Sequence, residues 1–244
     1  DEYLLFATAH GMVKKTAIQA YDRSRRDGII AINMRDDDEL IAVRRVREGE
    51  HVVMVSADGK AIVWNEGDAR PMGRDTMGVR GINVKGTDRV LGMEIAPPGS
   101  ELFVVTERGY GKRTPVDQYP LQKRGGMGVK TVQVTEKKGR LAGMKIVMPG
   151  HELMLISEEG VVIRVRAEDI SQLGRSTQGV KVMNVSENDR VSAIARVSAK
   201  KKKRAAVLEG QQALIEEDGS RVPGMTDRDL EAEDLVSEDF DEDE

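Results

Sequence analysis

Eight glycines in two columns constrain this chain more than any other feature. Gly28, Gly78, Gly128 and Gly179 recur at spacings of 50, 50 and 51 residues, and each opens a segment of one pattern: GIIAINM, GVRGINV, GVKTVQV and GVKVMNV. Apolar residues stand one, four and six places after each glycine: Ile29, Ile32, Met34; Val79, Ile82, Val84; Val129, Val132, Val134; Val180, Met183, Val185. The fifth place is an amide each time, at Asn33, Asn83, Gln133 and Asn184. A second column lies upstream at Gly11, Gly59, Gly109 and Gly160. Two columns in phase across four copies mark a repeat protein.

Within a copy the pattern reads as four short strands. In the first, Leu4–Ala9 is an apolar run, His10-Gly11 a hairpin turn, and Met12–Ile18 the second strand. Ala20–Asp27 makes a turn or short helical piece, Ile29–Met34 the third strand, Asp36–Asp38 a turn, and Glu39–Val46 the fourth strand. β-Branched enrichment and turn signals every 8–12 residues favour strands over helices. A four-stranded unit that repeats about every 50 residues cannot cover both of its faces alone, so neighbours must stack around an axis. The expected architecture is all-β, a propeller-like disc of four-stranded antiparallel blades at about residues 3–50, 51–100, 101–150 and 151–197.

After Val197 the pattern stops. Residues 198–204 (SAKKKKR) are basic, and residues 205–244 carry 15 acidic against 2 basic side chains, which predicts a disordered basic-then-acidic tail over 198–244. The tail hides the charge of the body. The whole chain has a formal net charge of −4, yet residues 1–204 hold 36 basic and 27 acidic side chains. A basic body points to a polyanion partner, with the acidic tail a competitor for the same surface or a solvating appendage. Cysteine is absent, which removes disulfides and Cys-ligated metals and suits a reducing cytoplasm. No run approaches the ~18 apolar residues of a membrane span, so no membrane partner is expected. The opening Asp1-Glu2-Tyr3-Leu4 runs straight into a strand pattern, as a fragment of a longer protein would.

No catalytic residue, metal site or cofactor site is expected. Gly109-Tyr110-Gly111-Lys112-Arg113-Thr114 ends like a phosphate-binding loop, but Arg113 stands where Ser or Thr should follow the lysine. HGMVKKT, DGKAIVW and EGVVIRV fill the same slot in the other copies, which makes it a hairpin turn. His51 and His151 sit at equivalent strand starts, and no ligand spacing joins them to His10. Asp36-Asp37-Asp38 reads as a solvated turn, and no nucleophile motif is present.

Cations form the better-supported pattern. Four places before the third-strand glycine stand Ser24, Arg74, Arg124 and Arg175, with Arg23, Arg25 and Arg26 around that slot in the first copy. Two places after it stand Ile30, Arg80, Lys130 and Lys181. The densest such segment is Gln122-Lys123-Arg124-Gly125-Gly126-Met127-Gly128, where bare amides beside Lys and Arg suit phosphate oxygens. In a radial fold these residues fall at regular angles on the rim. They read either as a duplex-DNA track or as solvated charges that guard edge strands. Three Phe and one Trp are too few for stacking on single-stranded bases.

GMVKKT, DDDELIAV, MGVRGINV, GYGKRT, DQYP and GRSTQGV, spread over about residues 3–197, together resemble the C-terminal DNA-wrapping domain of bacterial DNA gyrase A. The close relative with the same features is the C-terminal domain of topoisomerase IV. The resemblance implies a β-pinwheel, in which blades exchange strands with their neighbours. It implies a non-catalytic module that bends and wraps double-stranded DNA around a basic rim. It implies a parent in which gyrase A and gyrase B form a cytoplasmic, nucleoid-associated heterotetramer that supercoils DNA negatively with ATP. Gln122–Gly128 looks like the family's gyrase A box, with Met127 where that motif has a cation. The box stands in the third repeat rather than the first blade, so two blades of a six-bladed disc are expected upstream. A propeller-like scaffold for an acidic protein is the alternative.

Overall fold

Hairpin glycines and short β-branched runs divide the chain into its strands. The computed structural model describes residues 2–22 and 26–197. Arg23, Ser24 and Arg25 and the expected tail, 198–244, lie outside the described residues. The first repeat supplies β1 (Glu2–Thr8), β2 (Met12–Ala17) and β3 (Leu40–Arg47). The second supplies β4 (His51–Ser56), β5 (Lys60–Asn65), β6 (Val79–Arg80) and β7 (Val90–Ala96). The third supplies β8 (Glu101–Thr106), β9 (Tyr110–Pro115), β10 (Val129–Lys130) and β11 (Leu141–Val147). The fourth supplies β12 (Glu152–Ser157), β13 (Val162–Arg166), β14 (Val180–Lys181) and β15 (Val191–Val197). Short 3-10 turns such as Ile18–Tyr21 follow the second strand of each repeat.

The sheets are assembled across repeats. Their orders are β3-β1-β2-β6, β10-β5-β4-β7, β11-β8-β9-β14 and β13-β12-β15. Every pairing between these strands is antiparallel, and each of β6, β10 and β14 adds to the preceding repeat, with Met12 opposite Arg80, Lys60 opposite Lys130 and Tyr110 opposite Lys181. The donated strands are two residues long, shorter than the six expected for the third strand. Past Arg80 the chain leaves the ladder because the amides of Gly81 and Ile82 both donate to the Gly11 carbonyl, at 2.8 and 3.2 Å. Thr131 and Val132 do the same to Gly59, and Val182 and Met183 to Gly109.

The two glycine columns therefore meet. A Cβ on Gly78 would lie 2.2 Å from the Val13 carbonyl oxygen, and one on Gly11 2.4 Å from that of Ile82. Both residues have φ of +85°, which disfavours any L side chain before contact is considered. The columns lack this contact at the two ends, where Gly28 and Gly160 have nothing within 4 Å. Segment 28–34 of the first repeat is in no sheet among the described residues, and Ile30 (61%) and Met34 (40%) are exposed. Ile82, Val132 and Met183, the counterparts of Ile32, are buried against the preceding blade.

Each apolar core belongs to a pair of blades. Leu5, Val13 and Val46 pack with Val52, Met54, Trp64, Ile82 and Met93 between the first two. Val53, Val63, Leu102, Val132 and Ile146 join the second to the third, and Phe103, Leu153, Met183 and Val191 the third to the fourth. The strands β3, β7, β11 and β15 contact one another in succession and form the inner side. In the first three sheets the donated strand occupies the opposite edge, the outer one; the fourth sheet, among the described residues, has three strands and no donated one.

Gly78→Ala should cost more than about 3 kcal/mol in urea unfolding, since left-handed strain and a main-chain clash add. Gly160→Ala, which meets only the strain, should cost about 1 kcal/mol. Equal losses would refute the strand-seating role of the column.

Candidate nucleic-acid interface

Each donated strand is preceded by a loop that hangs on the blade receiving it. Met72 N donates to Lys15 O and Gln122 N to Val63 O, both at 2.8 Å, and Leu173 N donates to Arg113 O at 2.9 Å. These bonds set Arg74, Lys123–Gly128 and Arg175 beside the outer edge. Each loop also rests on the outer segment of the repeat before it. Arg74 donates to Ile30 O (2.8 Å) and Arg124 to Arg80 O (3.0 Å), while Arg175 and Lys130 line one hollow of about 400 Å³. Arg74, Arg80, Arg124, Lys130, Arg175 and Lys181 thus follow one another along the outer edge, alternating between loop and strand. Arg26 is exposed at the start of the series, and Lys123 is exposed beside Arg124.

Charge is sorted between this edge and the rest of the surface. Among the described residues, none of these eight cations is in an ion pair. Elsewhere Arg44 and Lys145 pair with Glu94, Arg113 with Glu101, Arg140 with Asp58 and Asp88, Arg164 with Glu152, and Arg190 with Glu158. Unpaired cations in sequence along one edge leave an uncompensated positive strip.

The box segment is more tightly built than its glycines suggest. The Gly125 amide, expected to be free for phosphate, donates to Gly81 O at 2.6 Å, and Gly126 O accepts from Asn83 N at 2.8 Å. Gly125 sits at φ +82°, and Gly128 at φ +68° with the Ala61 carbonyl 2.5 Å from where a Cβ would stand. The glycines serve close packing on the neighbouring blade. The Arg124 guanidinium bonds Asp68 O (2.8 Å) as well as Arg80 O. Gln122 is held by its backbone, and its buried Oε1 has no hydrogen-bond partner among the described residues.

Several participants were not legible in the cation columns. Lys60 faces Lys130 across the ladder, and the Tyr110 ring lies between Lys181 Nζ (4.3 Å) and Lys138 Nζ (4.5 Å). The signal was the residue after the hairpin glycine, which always faces the second residue of the incoming strand. Lys14 and Lys112, three places after that glycine, are fully buried. Burial pushes both ammoniums down to about 8, with Arg74 adding to the effect on Lys14. Lys112 belongs to a hairpin, as expected of GYGKRT, and Gly109 N closes the turn on Thr106 O at 2.9 Å. The acidic turn also proves to be a fastening: Asp38 Oδ1 accepts from the His10 and Glu39 amides, both at 2.9 Å. Asp88 and Asp189 repeat that arrangement in the second and fourth copies.

The profile of the family described as "DNA gyrase C-terminal domain, beta-propeller" matches residues 2–47, 50–97, 100–148 and 151–198, one match per repeat. The chain belongs to that family. The DNA gyrase A of Staphylococcus epidermidis (strain ATCC 12228 / FDA PCI 1200) is 42% identical over 200 residues, covering 81% of this chain and 22% of the relative. The DNA gyrase A of Staphylococcus aureus (strain MRSA252) is 40% identical over 222 residues, covering 90% and 25%. The chain therefore spans about a quarter of the length of these gyrase A relatives. Among solved structures, the C-terminal domain of a DNA topoisomerase IV superposes with a TM-score of 0.79 at 26% identity, covering 86% of this chain and 67% of that one. A DNA gyrase A C-terminal domain gives 0.73 at 27% identity, covering 80% and 66%. The beta-propeller of the family's description agrees with the stacked blades described above, and among the described residues no helix is long and apolar enough to cross a membrane.

Arg124→Ala should lower stability by about 1–3 kcal/mol, because two carbonyls lose a charged donor. Arg80→Ala should stay within about 0.5 kcal/mol, its head being exposed and unpaired. The reverse order in urea unfolding would show that Arg124 is no clamp.

Lys112 also predicts a pH dependence. Its folded value, about 8, lies below the ordinary lysine value of 10.5, so the unfolded chain holds more protons between those limits. Stability of the parent relative to Lys112→Met should therefore rise as pH goes from 8 to 10.5. A flat difference in denaturant midpoints over that window would contradict it.

Proposed function

We propose that this chain binds, bends and wraps double-stranded DNA along its outer edge, as a non-catalytic module of a gyrase A protein. In the parent it would hold DNA for ATP-dependent negative supercoiling carried out together with gyrase B, in a bacterial cytoplasm at the nucleoid. The observation that carries this reading is the run of carboxylate-free cations from Arg74 to Lys181, set at one loop and one strand per blade. Bending stiff duplex costs on the order of several kcal/mol per 20–30 bp, so no single cation can hold it and the cations must act as a set. Phosphate contacts position a duplex and carry no sequence information, so binding should be indifferent to base sequence.

Gyrase is favoured over topoisomerase IV by the Gln122–Gly128 segment and by the identity to gyrase A chains. A scaffold for an acidic protein would use the same cations. Their even repetition suits the regular phosphates of a duplex better than an irregular acidic surface.

Duplex affinity measured against salt tests the proposal. For the triple variant Arg80→Ala, Lys130→Ala and Lys181→Ala, the slope of log K on log salt should fall by roughly two to three, equally for unrelated sequences. Arg166→Ala, at a residue already paired with Asp169, should leave the slope unchanged. An unaltered slope in the triple variant would place the interface elsewhere.

A further inference from the structure

Arg74, Arg124 and Arg175 occupy one column, yet Arg175 is held differently: the heads of Arg74 and Arg124 donate to the outer segment of the repeat before, to Ile30 O and Arg80 O, whereas that of Arg175 does not. The Arg124 guanidinium is committed to Asp68 O and Arg80 O, and its loop turns through Gly125 at φ +82°. Beneath that loop lies Ile62, whose Cδ1 is 3.4 Å from where a Gly126 Cβ would stand. In the flanking blades a fully buried lysine takes the place of Ile62, and the loop above it changes. Asp75 and Ser176 replace Gly125 and are not left-handed, and Thr76 and Thr177 replace Gly126. Each threonine hydroxyl closes its own turn, on Gly73 O at 2.9 Å and on Gly174 O at 2.8 Å.

The lysines reach the main chain of these loops. Lys112 Nζ donates to Gly174 O, to Arg175 O and to Thr177 Oγ1 (3.1 Å). Lys14 Nζ donates to Arg74 O, to Ala31 O and to Tyr21 Oη (3.3 Å). Packing alone does not call for a buried ammonium, because Ile62 fills the equivalent slot in the blade between them. Burying a charge is costly unless every donor is matched, and apolar replacement of such groups is often neutral. What the lysine adds is an anchor for the arginine's carbonyl. With the loop held from beneath, the guanidinium need not hold it. Arg175 accordingly makes no hydrogen bond from its head among the described residues, which lies over the Tyr119 ring at 5.9 Å.

We propose that Lys112 is a positioning residue for the DNA track: it anchors the Arg175 loop of the next blade by its main chain and leaves that guanidinium available to a phosphate. Arg175 then contributes more to duplex binding than Arg124, the arginine of the box. The inference rests on the DNA-wrapping reading for its ligand and on the lysine–carbonyl geometry for its anchor.

A double-mutant cycle tests it in the 244-residue chain, with a mixed-sequence duplex at low salt. Arg175→Ala should weaken binding roughly tenfold, the worth of one charge-assisted contact, and Arg124→Ala clearly less. Lys112→Met should weaken binding about as much as Arg175→Ala, and should have no further effect in the Arg175→Ala background. The variant Lys112→Ile with Ser176→Gly and Thr177→Gly rebuilds the Ile62 and glycine-loop arrangement. It should recover the fold but not the binding, because that arrangement lets the arginine head anchor the loop. Since the chain has no cysteine, a nitroxide on Ser176→Cys reads the loop alone, and Lys112→Met should raise its mobility. If Lys112→Met weakens binding equally with and without Arg175, or leaves the label unmoved, the anchoring role is wrong. If the parent binds no duplex while the label still loosens, the anchor stands and the DNA reading fails.

Discussion

Everything in this molecule depends on one backbone contact, the seating of a strand from one repeat against the hairpin of the repeat before it. A hairpin carbonyl, at Gly11, Gly59 or Gly109, accepts two successive amides of the incoming chain. The glycine that opens the incoming strand lies against the receiving strand too closely for any side chain. This contact turns four units that could not cover their own faces into a continuous stack. Each apolar core is shared by two blades, so no blade holds a complete core of its own.

The same contact decides what the outer edge looks like. An incoming strand of two residues is a short edge, and the residue that projects from it is Arg80, Lys130 or Lys181. Short, charged edges resist pairing with other chains. One set of cations therefore charges the short edges and, on the function proposed here, presents a positive strip to a polyanion. The strip survives because acidic side chains are engaged elsewhere, Glu94 and Glu101 with arginines on the blade faces and Asp38 with hairpin amides.

Buried charge is concentrated where blades meet. Lys15 pairs with Glu66 of the next repeat while both are almost fully buried, and Lys14 and Lys112 reach carbonyls of the next repeat. These groups satisfy one another only when adjacent blades are in register. They reward correct stacking over any slipped arrangement, because a shift would leave an ammonium buried and unmatched.

The sequence by itself determined the period, the hairpins, the strand-forming runs and the column of cations, because each is a local or strictly repeating property. Gly59 and Gly109 mark turns by their neighbours alone, and Arg80, Lys130 and Lys181 recur at one offset. The tertiary structure alone decided which repeat each strand joins. A six-residue segment such as Gly78–Asn83 has the same pattern whether it pairs with its own repeat or the previous one, and only three-dimensional closeness to Val13 chooses. It also decided that Arg124 and Arg175, identical in the column, differ in their surroundings. The residues that accompany the difference, Ile62 beneath one loop and Lys112 beneath the other, lie about 60 positions away, and only the fold brings them under those loops.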